Sequence, residues 1–182
     1  GYAIEVVDHE GVTYYPVSTH PDIFMCRLGV WENPVIFPGN PEKLKPSYPG
    51  NVIYNAVCTG KYFIHNLKHT DPELLNSAKA WKSALILVDA PQGYTRCCCL
   101  PVDDTSFITS DRGIEKALTD AGADVLLIEK GHIELPGFNY GFIGGCAGHV
   151  MIPSGSTSDD YMVPTILFNG DLSNHPDFES II

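Results

Sequence analysis

A chain of 182 residues with 44% apolar and 18% charged residues is long enough to bury one sizeable core. Its formal net charge of −11, with 11 Lys and Arg dispersed along the chain, argues against a nucleic-acid partner, which would need clustered cations. No run approaches the roughly 18 consecutive apolar residues of a membrane helix, and the opening Gly1-Tyr2-Ala3-Ile4-Glu5 lacks the basic flank and apolar stretch of an export signal, so one soluble domain over 1–182 is expected.

Taken in order, residues 4–7 and 12–15 read as strands with no helix before them. Strands are expected next at 23–28 and 34–37, with a short helical turn at 41–44. A fuller unit follows: strands at 52–57 and 62–65 flank Thr59-Gly60, and a helix runs over 71–81. Pro72 suits the first helical turn, Thr70 or Asp71 caps it, and Leu74, Leu75 and Ala78 form the apolar stripe. The continuous apolar run 84–88 reads as a buried strand. The same order recurs, with strands at 95–102 and 106–109 around Asp103-Asp104, a helix from Ser110 or Asp111 ended by Gly122, and a strand at 124–128. Finally come strands at 142–152 and 165–168, separated by the polar insertion 154–160, and a closing helix near 176–181.

Four stretches thus look like copies of one strand-strand-helix-strand unit, each with a cysteine ahead of a short apolar strand: Cys26, Cys58, Cys99 and Cys146. Self-similarity at roughly 40 to 50 residues is the mark of a repeat array or propeller. The adjacent Cys97-Cys98-Cys99 inside an expected strand fits reduced thiols better than disulfides, which points to a cytoplasmic protein.

The repeated ββαβ pattern, His20-Pro21-Asp22 ahead of one strand and a late Cys146 ahead of another resemble the pentein α/β-propellers, the guanidino-group-modifying enzymes and their non-catalytic relatives. The run from Gly131 to Cys146 and the later Gly170-Asp171-Leu172-Ser173-Asn174-His175-Pro176-Asp177 are similar to an uncharacterised branch of that fold. The resemblance implies a propeller of five units, four of them visible here, so that one unit would lie upstream, be shortened or come from another chain. It also implies a covalent intermediate on Cys146, with His20 as acid/base and carboxylates from Asp22, Asp104 and Glu134 gripping a planar guanidinium. No cofactor or metal is implied.

Read from the residues alone, other assignments stand beside these. Cys146 lies among glycines with His149 three residues on, an accessible thiol with a nearby activator, but a small buried residue explains the four repeated cysteines equally. A thiolate cage from Cys26, Cys58, Cys98 or Cys99 and Cys146 lacks paired Cys-x-x-Cys knuckles. Glu134 and Asn139 flank Pro136-Gly137 in a loop leading to Cys146, placed to pair with and orient a cationic group. Asp103-Asp104 and Asp159-Asp160 read first as solvated turns. The expectation is a Cys-dependent hydrolase or transferase of a guanidino or amidino compound. The alternative is a non-catalytic binding protein for a small cationic ligand or a protein, without nucleic-acid or membrane partners; exposed strand edges leave room for a homodimer.

Overall fold

The computed structural model of the protein describes residues 12–13, 17–31, 33–82, 84–155 and 161–182. A single helical turn, α1 (Pro21–Phe24), feeds β1 (Met25–Leu28), which pairs antiparallel with β2 (Val35–Pro38). Then come β3 (Val57–Cys58), β4 (Tyr62–His65), α2 (Pro72–Trp81) and β5 (Ile86–Asp89). The next group is α3 (Thr95–Cys98), β6 (Cys99–Pro101), β7 (Ser106–Thr109), α4 (Arg112–Asp120) and β8 (Asp124–Leu127). A 3-10 turn (Ile143–Cys146), β9 (Ala147–Pro153), β10 (Met162–Phe168) and α5 (Phe178–Ile181) close the chain.

This is a mixed α/β protein with three separate sheets, ordered β2-β1-β3-β4-β5, β6-β7-β8 and β10-β9. Two ββαβ units are complete and share one pairing scheme. β3 and β4 are antiparallel and β4 and β5 parallel; β6 and β7 are antiparallel and β7 and β8 parallel. The expected first and fourth units are reduced to hairpins among the described residues, β1-β2 and β9-β10, and the first joins the second unit's sheet through the parallel pair Leu28 and Cys58. The expected strand 4–7 lies outside the described residues, as do residues 14 and 15 of the expected strand 12–15 and Asp159-Asp160. Among the described residues no helix is long and apolar enough to cross a membrane.

The helices follow the sequence pattern closely. Asp71 caps α2 by accepting from the N–H groups of Glu73 and Leu74, and Asp111 caps α4 identically through Gly113 and Ile114. Gly122, at φ +81°, ends α4 in the left-handed conformation that favours glycine. The strand starts differ from expectation. Residues expected as strand at 52–56, 95–98 and 143–146 are turns instead, because distant hydrogen bonds capture their backbone: Asn55 Oδ1 accepts from Arg96 N at 2.9 Å and Cys97 N at 3.3 Å. The repeated cysteines are likewise not equivalent. Cys58 pairs with Phe63, whose counterpart Phe107 pairs with Pro101, so Cys99 sits two residues earlier, opposite Thr109.

The core is distributed between units. Phe63 of β4 and Leu74 and Ala78 of α2 pack with Cys26 and Leu28 of β1. Their counterparts Phe107, Ile114 and Leu118 pack with Tyr62 and Ile64 of the preceding unit. Ile108 and Leu100 continue the series against Ile143, Ala147 and Ile166. Successive side chains of a strand point to opposite faces, so Phe63 faces back and Ile64 forward, and Phe107 and Ile108 repeat the division. Each complete unit buries its helix and one sheet face on its predecessor, and Trp31 beyond β1 reaches across to the third unit and the last hairpin, donating to Val102 O at 2.9 Å and packing edge-on against His149.

Candidate functional site

The segments ahead of the first strand of each unit converge on a polar knot. Asn55, fully buried, accepts from the backbone of Arg96 and Cys97, and its Nδ2 donates to Asp22 O at 3.3 Å and meets Cys97 Sγ at 3.4 Å. Arg96 carries the connection onward, donating to Gly144 O at 2.7 Å and Ala147 O at 3.2 Å. Residues 22, 55, 96–97 and 144–147, one segment from each unit or hairpin, are therefore held together by side chains that satisfy backbone groups.

Cavities flank this knot. A cleft of about 330 Å³ lies beneath the 135–142 loop, walled by Tyr94, Phe138, Tyr140 and Phe142, with His20 and Cys97 at its polar edge. His20 Nδ1 stands 3.7 Å from Cys97 Sγ, and Asn139 also lines the cleft. A second cavity, about 280 Å³, takes Asp22, Arg27, Arg96 and His149, so two segments border both, with His20 and Cys97 on the first and Pro21, Asp22 and Arg96 on the second. A third, about 510 Å³, collects Glu134, Cys146, His132, Asp171 and His175.

The expected catalytic residues are thus divided. His20 and Asn139 share the aromatic cleft, Asp22 belongs to the second cavity, and Cys146 and Glu134 line the third. Asp104 ties two turns together: its Oδ1 accepts from Gly60 N at 2.6 Å and its carbonyl from Thr59 Oγ1 at 2.9 Å. The thiol facing His20 is Cys97. Cys97, Asn55 and Arg96 were not singled out from the sequence, although one arginine inside the otherwise uncharged run 94–100 was a visible signal.

Burial raises all six thiols. Burial pushes Cys97 up to about 12, with Asp22 adding to the rise against the Asn55 hydrogen bond and Arg96. Burial likewise raises Cys58 and Cys99 to about 12 and lifts Cys26, Cys98 and Cys146 above the ordinary thiol range. The six cysteines are unpaired, and Cys146 alone is not fully buried. The thiolate-cage reading is corrected by packing: Cys26 and Cys58 lie in one core cluster, Cys98 and Cys99 in another, and Cys146 beside a third. Among the described residues no three or more His, Cys, Asp or Glu are grouped to hold a metal.

Fold and site together describe an α/β repeat protein with small-molecule-sized cavities around a central polar knot. A family model matches residues 37–182, and the chain belongs to that family, the family of unknown function DUF6873. No curated protein and no solved structure matches it.

Proposed function

We propose that the chain is an α/β-propeller of pentein type whose aromatic cleft binds a small cationic ligand of guanidino or amidino chemistry. The propeller reading is supported by units that each pack on the one before and by four pre-strand segments meeting at Asn55 and Arg96. The ligand reading is carried by the cleft itself. Largely apolar pockets with a few convergent polar groups are the usual form of small-molecule sites. Tyr94, Phe138 and Phe142 line the cleft with aromatic rings, whose faces attract a planar delocalised cation, and Asn139 brings a side-chain acceptor. Lys130, which does not line the cleft, makes a contact of this kind with Tyr140, 4.9 Å from the ring centre. The net charge of −11 raises the local concentration of cations.

Binding without turnover fits thiols held protonated. A second reading, hydrolysis or transfer through Cys97, is favoured by its contact with His20: a bound cation beside the thiol lowers its pKa, and the thiolate then attacks the central carbon while His20 returns the proton to the departing amine. The test is calorimetric titration with benzamidine and its uncharged isostere benzamide. Saturable binding of benzamidine alone is expected, weakened about tenfold by Phe138→Ala, roughly 1.4 kcal/mol. Equal binding of benzamide, or no binding of either, would overturn the assignment.

A further inference from the structure

We infer that the second cavity, on the Arg27 and Arg96 side of the polar knot, is a site for a small organic carboxylate. The chain is strongly acidic, yet this cavity brings two guanidinium groups together with a single carboxylate, Asp22. Arg27 lies on β1 and Arg96 in α3, so the pairing is made by the fold and not by adjacency in sequence. Neither forms an ion pair with an acidic side chain among the described residues. Among the described residues their donors reach backbone carbonyls: Arg27 Nη2 to Val30 O at 2.5 Å, and Arg96 to Gly144 O and Ala147 O.

Burial, and after it the neighbouring Arg96, depress the Arg27 pKa, as expected of two like charges in a partly desolvated space. An arginine stays charged under such a shift, so the repulsion persists until an anion enters. His149 adds no positive charge near neutrality: burial holds it down at about 4, and its Nε2 donates to Pro101 O at 2.5 Å. A guanidinium carries five N–H donors, so hydrogens beyond those given to Val30, Gly144 and Ala147 are left for a carboxylate. Met25, Val30, Ile36 and Val57 on the walls suit the carbon part of an organic acid better than an inorganic anion. Asp22 opposes binding and sets its charge selectivity, leaving one net positive charge for a monocarboxylate.

The experiment is calorimetry on the full chain at constant ionic strength, titrating butyrate and, separately, inorganic phosphate, with chloride as the reference anion. Saturable butyrate binding is expected, reduced at least tenfold by Arg27→Gln, largely restored by Arg27→Lys and tightened by Asp22→Asn. Asp22→Asn keeps the assignment falsifiable should the Arg27 variants fail to fold. Absence of saturable binding, butyrate affinity unchanged in Arg27→Gln or weakened in Asp22→Asn, or phosphate binding tighter than butyrate would each overturn it.

Discussion

His65 is fully buried at the end of β4, with Nε2 3.0 Å from Gly93 O and Nδ1 2.8 Å from Thr70 Oγ1. A carbonyl only accepts, so Nε2 carries a proton; with the ring neutral near pH 7, Nδ1 is an acceptor that shares the single Thr70 hydroxyl proton with Asn66 O, 3.1 Å from that hydroxyl. Burial lowers the pKa from 6.5 to about 4, against smaller raising effects of the Gly93 and Val52 hydrogen bonds. The unfolded chain therefore binds a proton that the folded chain refuses. This contribution to stability is complete above pH 6.5 and is lost as pH falls toward about 4, an effect of roughly 3 kcal/mol. Urea titrations from pH 7.5 to 4 should show that loss, and His65→Gln should lessen the slope over the same window without abolishing it, because His149 is shifted in the same direction to about 4. An unchanged slope in the variant would show that other groups govern the acid limb.

At the scale of elements, the two complete units are capped alike but not embedded alike. Asp111 serves α4 through two backbone N–H groups and one contact with Gln92 Nε2, whereas Asp71 is almost fully buried and also pairs with Lys43 Nζ at 3.0 Å. Asp111→Ala is expected to cost about 1 kcal/mol in chemical denaturation, the usual value of a lost cap. Asp71→Ala should cost measurably more, because two backbone N–H groups beside an almost fully buried side chain lose their acceptor and Lys43 keeps only Glu73, at 2.9 Å, of its two carboxylate partners. These helices were legible in the sequence, since caps, Pro72, Gly122 and the apolar stripes act over a few residues. Strand starts were not. The apolar runs at 52–57 and 95–102 read as strand throughout, but Asn55 and Arg96 turn the chain there through bonds to residues about 40 to 50 positions away.

For the whole molecule, repetition was the legible property and its completeness was not. Two ββαβ units were recognisable because strand, cap and stripe recur in order; β1-β2 and β9-β10 were overread because apolar pairs of strands resemble units whose third strand is missing among the described residues. The site was legible in halves. His20 and Asn139 do meet in one cleft, but the thiol beside His20 is Cys97, because α3 and Asn55 aim it there while Cys146 faces a different cavity. Cysteine spacing carries no information about which loop crosses which. The most direct test of the ligand-binding account is a crystal structure with benzamidine at saturating concentration. The account predicts its amidinium beneath the 135–142 loop, against Phe138 and Phe142 and within reach of Asn139, whereas density beside Cys146 and Glu134 would contradict it.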